Sequence, residues 1–182
     1  MIVINYLDNK KISKDIKPLF ISAFPRDERP PAHIFFFSFK KKSNTLYGFY
    51  EEDIFIGFTS VVVIRDVCYI YFLAVAPEMR NKGYGSKILS FIKDKYQDYN
   101  LLLCYEEVDE KYEDYPLRKK REEFYLRNGF TQNPLKTNEF GVVFQTATIG
   151  NRVITFTDYQ EIFGNAFSKK ILPYIKEQTD PK

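Results

Sequence analysis

The hydrophobic positions change rhythm along the chain, and each change marks an element. Residues 2–7, Ile-Val-Ile-Asn-Tyr-Leu, have strand composition, while Ile16, Leu19, Phe20 and Phe24 recur at helical spacing and predict an amphipathic helix over Ser13–Phe24. Pro25 ends that helix. The next stretch, Arg26-Asp27-Glu28-Arg29-Pro30-Pro31, is charged and stiff, and its prolines suit an extended turn or the opening of a second helix reaching about Lys41. It is a candidate border for a substrate cleft. Residues 45–50 and 54–64 then predict a hairpin around Glu51-Glu52-Asp53, with β-branched residues at Ile54, Ile56, Val61 and Val63.

Past the turn at Arg65-Asp66 the pattern loses its polar phase. Residues 67–76 are apolar on both faces, as in a strand covered on each side, and Pro77 closes the run. Helical spacing returns at Ile88, Leu89, Phe91, Ile92 and Tyr96, and Leu101-Leu102-Leu103-Cys104-Tyr105 is a further short strand. A strand, one helix and a strand make a parallel pair, whereas the earlier hairpin must be antiparallel. The sheet is therefore expected to be mixed. Glu106 through Tyr115 reads as an acidic, tyrosine-rich loop, followed by a helix from Pro116 to Asn128 with Gly129 at its C-terminal cap. Residues 142–144 and 153–156 predict a closing hairpin around Gly150-Asn151, Asp158 onward a helix ending near Ile175, and the tail after Lys176 a frayed end.

Composition narrows the class. At 182 residues, 45% of them hydrophobic, the chain suits one domain spanning 1–182, with a core over about 1–148 and an extension over about 149–182. Its 18 Phe and 14 Tyr favour helices laid over a sheet. The formal charge of +3 comes from 27 basic and 24 acidic residues that are interspersed, so no nucleic-acid partner is expected, and Lys40-Lys41-Lys42 and Lys119-Lys120-Arg121 read as solvated surface. No apolar stretch approaches the roughly 20 residues of a membrane helix. Cys68 and Cys104 form no C-x-x-C pair, and the chain opens without the pattern of a secretory signal, so the expectation is a cytoplasmic protein with no membrane partner. With one His, His33, and no Cys cluster, no metal site is expected.

The stretch that carries chemistry is Val75-Ala76-Pro77-Glu78-Met79-Arg80-Asn81-Lys82-Gly83-Tyr84-Gly85-Ser86, where glycines fall between a strand and a helix. Glycine lets a backbone approach a phosphate closely, and the first turn of a helix offers unpaired N–H groups and about half a positive charge. A diphosphate fits such a start, with Arg80, Lys82 and Lys87 adding charge and Ser86 a hydroxyl. A nucleotide-triphosphate loop is excluded, because Gly85 is followed by Ser86-Lys87 in reverse order and an earlier glycine is missing. The dinucleotide fingerprint fails too, since the place of its third glycine holds Ile88.

Arg80-Asn81-Lys82-Gly83-Tyr84-Gly85 resembles the loop of the GNAT superfamily of acyl-CoA N-acyltransferases, whose pattern is Arg or Gln, two residues, Gly, one residue, Gly or Ala. Leu73-Ala74-Val75-Ala76-Pro77 is similar to that family's fourth strand, and Phe124-Tyr125-Leu126-Arg127-Asn128-Gly129-Phe130 to its second hallmark, a tyrosine on a helix that ends in Gly-Phe. In element order the likeness covers residues 2–148, with motif-level identity over 72–130. The resemblance implies an α/β fold with a mixed, mainly antiparallel sheet flanked by helices. It implies acetyl-coenzyme A as acyl donor, held by Leu73, Ala74 and Val75 along the strand and by Arg80, Asn81, Lys82, Gly83, Tyr84, Gly85 and Ser86 in the loop. The implied reaction is acetyl transfer to a primary amine, on a small molecule or a peptide, by direct attack in a ternary complex.

The resemblance gives Tyr125 the role of acid toward the departing thiolate, which suits a phenol of reference pKa about 10. A freed backbone N–H near Leu73 or Ala74 would polarise the thioester carbonyl. For the base, Glu106 and Glu107 directly follow the strand 101–105, and Glu106 is preferred; a solvated acidic loop through Asp109, Glu110, Glu113 and Asp114, or a chain of waters, is the alternative. Where many relatives carry Asn seven residues before the tyrosine, this chain has Arg118, so that role is not transferred. The loop's carboxylates and tyrosines are instead expected to shape acceptor specificity. Cys104, in an apolar strand without a His partner, is expected to pack rather than carry an acyl group. The segment after Ile149 is expected to cover the acceptor cleft or form a homodimer contact. Rival readings are a non-catalytic acyl-CoA sensor and an interaction module.

Overall fold

The computed structural model describes residues 1–26 and 28–179; Asp27, in the charged stretch before the two prolines, and residues 180–182 lie outside the described residues. The chain forms two compact units, one of Met1–Val63 with Ile70–Gln97 and one of Ile64–Tyr69 with Asp98–Lys182.

The first unit contains β1 (Ile2–Asn5), α1 (Ser13–Ala23), α2 (Ala32–Ser38), β2 (Asn44–Glu51), β3 (Ile54–Ile64, to Val63), the C-terminal part of β4 (Val67–Val75) and α3 (Tyr84–Lys95). Its strands run in the order β1-β2-β3-β4, with β2 antiparallel to both β1 and β3. The hairpin turns at Glu52, which takes a positive φ of 53°. α1 and α2 cover one face with rings: Phe20 stacks on Phe35 with centroids 4.1 Å apart and meets Phe72 of β4 edge-on at 5.2 Å. Tyr50 of β2 donates to the Asp15 carboxylate of α1 at 2.8 Å. His33 is exposed on α2. The aromatic content thus builds the sheet-to-helix core expected from composition.

At the C-terminal end of β4 the neighbouring strand comes unusually close. A Cβ on Gly57 of β3 would stand 2.2 Å from the Ala74 carbonyl oxygen, so only glycine fits there. Ile56 and Ala76 remain paired through a 2.9 Å backbone bond.

The second unit contains the start of β4, β5 (Asn100–Glu106), α4 (Tyr115–Arg127), β6 (Thr131–Glu139), β7 (Val142–Ile149), α5 (Phe156–Ala166), a 3₁₀ turn (Lys169–Tyr174) and β8 (Ile175–Gln178). Its strand order is β4-β5-β7-β6-β8, and β7 is antiparallel to both β5 and β6. The fold is thus mixed α/β with a mostly antiparallel arrangement of strands flanked by helices, as expected.

Three expectations for this unit are corrected. The strand 142–149 does form a hairpin, but with residues 131–139, around Phe140 and Gly141, whose positive φ values of 52° and 98° suit a tight two-residue turn. Residues 153–154 are not a strand: the N–H and C=O of Ile154 are both bonded by the Asn133 side chain, at 3.1 and 2.9 Å. Thr155 then caps α5 in a reciprocal box with Asp158. The helix stops at Ala166 rather than near Ile175, and Ser168, whose side chain accepts from the Lys170 N–H, opens a separate 3₁₀ turn. Finally, of the tail after Lys176 that was expected to fray, Glu177 and Gln178 belong to β8, which pairs antiparallel with β6, and residues 180–182 lie outside the described residues.

Candidate functional site

The loop Arg80–Ser86 belongs to the first unit. It follows the closing turn Pro77–Met79 of β4 and starts α3 at Gly83, which sits in the left-handed region at φ 79°. Asn81 before it is also left-handed, at φ 60°. No side chain caps this helix start, and a Cβ at Gly83 would meet nothing within 4 Å. The first-turn N–H groups of α3 therefore have no capping side chain, the arrangement that suits a phosphate. Arg80, Asn81, Lys82 and Gly83 are exposed, Gly85 and Ser86 are half-buried, and Tyr84 is buried.

Two side chains brace the loop. Arg80 donates through Nε to the Val75 carbonyl at 3.2 Å, tying the loop to the strand before it. Tyr84 donates to the Glu51 carboxylate at the end of β2, a bond that raises its pKa. Glu51 is a residue that sequence reasoning did not single out. On β4 itself, exposure alternates: Ala74 is buried while Leu73 and Val75 are half-buried. The residues present thus fit a diphosphate with an extended arm along the strand.

Tyr125 and Glu106 belong to the second unit, and the structure brings them together. Glu106 is not the first residue of a loop but the last of β5, and it is buried at 6% exposure. Its carboxylate accepts from the Arg121 guanidinium of α4. Tyr125 lies one helical turn further along α4, half-buried, its ring stacked on Tyr105 of β5 at 5.7 Å. Burial first, and then the Glu106 charge, push the Tyr125 phenol up to about 12, with Arg121 pulling the other way. It stays protonated throughout the physiological range. Gly129, at φ 90°, closes α4 with a bond from its N–H to Leu126, and the Phe130 N–H bonds Tyr125.

The acidic loop is more ordered by charge than its composition suggests. Glu107 accepts from Lys111 at 3.0 Å and Tyr112 at 3.2 Å, and lies 3.4 Å from Lys136. Burial opposes its ionisation, yet these donors hold it below the usual carboxylate range. Arg118 meets Asp114 at 2.7 Å and the Glu107 carbonyl at 3.1 Å, and its guanidinium lies 3.8 Å from the centre of the Tyr112 ring. Its position is therefore that of a clamp on the loop.

A second polar group in this unit was not legible as a site. Tyr159 of α5, fully buried, donates to Glu139 of β6 at 2.5 Å, and its oxygen lies 3.2 Å from both the Cys104 thiol of β5 and the Tyr69 hydroxyl of β4. Burial pushes the Cys104 thiol up and raises the Glu139 carboxyl from the usual range to about 7. Cys104 thus makes a polar contact where packing alone was expected. The only sequence signal was an acidic residue just before the Phe140-Gly141 turn.

Among the described residues no cluster of three or more His, Cys, Asp or Glu has the arrangement to hold a metal ion, and no helix is long and apolar enough to cross a membrane.

Comparison with known proteins agrees with this geometry. Residues 42–132, half of the 182-residue chain, match the model of the acetyltransferase (GNAT) domain family. No curated protein sequence matches the chain. Among solved structures, a Bacteroides thetaiotaomicron protein assigned to the GNAT acetyltransferases is 20% identical, with a TM-score of 0.75 over 92% of this chain and 98% of its own. An aminoglycoside 6′-N-acetyltransferase complexed with coenzyme A is 13% identical, with a TM-score of 0.67 over 84% of this chain and 99% of its own. A GNAT acetyltransferase of Elizabethkingia anophelis with acetyl-CoA bound is 17% identical, with a TM-score of 0.60 over 82% of this chain and 97% of its own. At such identities the likeness is one of fold.

Proposed function

We propose that this chain, which belongs to the acetyltransferase (GNAT) family, moves an acetyl group from acetyl-coenzyme A to a primary amine. The observation that carries the reading is the start of α3, where left-handed Gly83 opens a helix that no side chain caps, with exposed Arg80 and Lys82 just before it. The coenzyme A and acetyl-CoA carried by two of the fold relatives support the same donor here. When bound, the donor supplies a thioester whose acetyl carbon accepts the amine.

In this reading Arg80, Asn81, Lys82, Gly83, Tyr84, Gly85 and Ser86 hold the diphosphate, and the stretch Leu73–Val75 holds the extended arm by backbone pairing. A backbone N–H near Leu73 or Ala74 stabilises the oxygen charge that develops as the amine attacks. Tyr125 gives its phenolic proton to the leaving thiolate, a role that its pKa of about 12 suits. Glu106, the candidate base, is engaged in an ion pair with Arg121. Its carboxylate is better suited to holding Arg121 and setting the field around Tyr125.

The acceptor is an amine on a small molecule or peptide, attacking directly without an acyl-enzyme. The aminoglycoside enzyme among the fold relatives favours the small-molecule class. The test is a panel of amines (polyamines, aminoglycosides, peptide termini and lysine side chains) scored by acetyl-CoA-dependent thiol release. Steady turnover with at least one member is expected. Acetyl-CoA binding without turnover on any amine would favour a sensor and overturn the transferase reading.

A further inference from the structure

The buried polar group around Tyr159 has no part in the reaction as written above, yet its geometry is directional. Glu139 accepts the Tyr159 proton at 2.5 Å, and a phenol has only one proton to give. Cys104 Sγ, at 3.2 Å, can then bond that oxygen only as a donor, and Tyr69 Oη lies at the same distance. The chain therefore points from the thiol through the phenol to the carboxylate.

We propose that Cys104, Tyr159 and Glu139 form a proton relay for the acetyl transfer inferred above, on which this assignment rests, with Glu139 storing the proton that the acceptor amine gives up. Three observations support it. The middle of the chain is sealed, Tyr159 having no exposed surface, while Cys104 and Glu139 at its two ends are half-buried residues. Cys104 is also the one half-buried residue in the run Leu101–Glu106, and it stands within electrostatic range of Tyr125 as well as of Tyr159. Among the described residues Glu139 accepts from two hydroxyls, Tyr159 of α5 and, at 3.3 Å, Thr137 of its own strand, where Glu106 accepts from a guanidinium. Behind Tyr159 stand Tyr69 of β4 and Cys104 of β5. On β8, Lys176 and Glu177 pair in register with Asn138 and Thr137, and the position opposite Glu139 is Ile175. A carboxylate bound by neutral hydroxyls can take up a proton without breaking an ion pair.

The step balances. The acceptor arrives as an ammonium and must lose two protons in forming an amide. One passes to Cys104 Sγ as the thiol gives its own proton to Tyr159 Oη, which passes its proton to Glu139; thiol and phenol end as they began, and the carboxylate becomes a carboxylic acid. Neither a thiolate nor a phenolate accumulates, in keeping with burial raising both groups. The nitrogen lone pair then forms the C–N bond, the C–S bond breaks, and the thiolate takes the Tyr125 proton. The second nitrogen proton restores Tyr125, and Glu139 returns its proton to solvent.

The experiment is kcat/KM for the best amine against pH at saturating acetyl-CoA, in wild type, Glu139→Gln, Tyr159→Phe and Glu106→Gln, with acetyl-CoA affinity measured by calorimetry as a check on folding. Wild type should show a limb rising near pH 7, where the Glu139 carboxyl titrates. Glu139→Gln and Tyr159→Phe should lose that limb and fall about 100-fold while still binding acetyl-CoA, whereas Glu106→Gln should keep the limb whatever its rate. A limb that persists in Glu139→Gln with kcat/KM within about threefold of wild type overturns the relay and leaves acetyl transfer standing. Absence of wild-type turnover on every amine overturns the acetyl-transfer reading and the relay with it.

Discussion

The Asn133 side chain stands in for a strand in satisfying Ile154: its carbonyl oxygen accepts from the Ile154 N–H at 3.1 Å and its amide donates to the Ile154 C=O at 2.9 Å. A second amide hydrogen reaches Thr146 at 3.0 Å, so one carboxamide joins β6, β7 and the entry to α5. Replacing it by leucine leaves two buried backbone groups without partners, each costing about 1–3 kcal/mol. We expect Asn133→Leu to lose about 2–4 kcal/mol in urea denaturation. The Ile154 amide should gain more in hydrogen exchange than the amides of β5; equal exchange at Ile154 in both proteins would refute the account.

Gly57 is pressed against the backbone of the strand proposed to hold the donor's extended arm. A methyl group there would stand 2.2 Å from Ala74 O and 3.0 Å from Val75 Cα, both backbone atoms that cannot swing aside. Gly57→Ala is expected to cost about 1–3 kcal/mol by overpacking. Because the strain falls on Ala74 and Val75, acetyl-CoA affinity should drop as well, whereas Gly83→Ala, with open space around it, should act only through its backbone conformation. Thermal unfolding and calorimetry on the two variants separate these effects.

Glu139 makes stability depend on pH with an unusual sign. Its carboxyl titrates near 7 in the folded chain against 4.5 as the reference value, so between those values the native state binds more protons than the unfolded one. This contribution to stability is full below about pH 4.5, declines as pH rises, and is exhausted above about 7. Glu139→Gln should therefore be more stable than wild type at pH 8, by about 1–3 kcal/mol after allowance for solvent at a half-buried site, and equal to it near pH 5. Denaturant midpoints at the two pH values give the answer, and a constant difference would contradict it.

Tyr125→Phe removes the proposed acid while keeping the ring that stacks on Tyr105 and fills the space beside Phe130. Turnover should fall about 100-fold, with the acetyl-CoA dissociation constant unchanged within about twofold. A donor whose leaving group needs no proton, such as a thioester of an acidic thiol, should restore much of the rate. Loss of affinity with intact turnover would assign the tyrosine to binding instead.

How legible these features were depended on whether apolar residues marked the buried face. β3, β4 and β5 are nearly all buried and hydrophobic, and their bounds followed from the pattern. The loop at Gly83 and the cap at Gly129 were legible because both glycines take positive φ, a demand that few other residues meet. β6 was missed because its buried positions alternate as Asn133, Leu135 and Thr137, two of them polar, with Pro134 exposed between them. Hydrogen bonds rather than hydrophobicity define that strand. Misreading it displaced the hairpin to Gly150. The Glu139 group was hidden for the same reason, since its members lie on four elements and only the pairing of β6 with β7 and the docking of α5 bring them together.

β8 has a role in how these molecules meet one another. It stands last in the strand order, is only four residues long, and exposes Lys176 and Glu177. Behind it lies β6, nine residues long, whose free edge would otherwise offer a template for pairing with another chain. Shielding that edge with a short, charged strand works against aggregation. Trimming the chain before Ile175 would uncover it, and loss of monodispersity would appear before any loss of secondary structure.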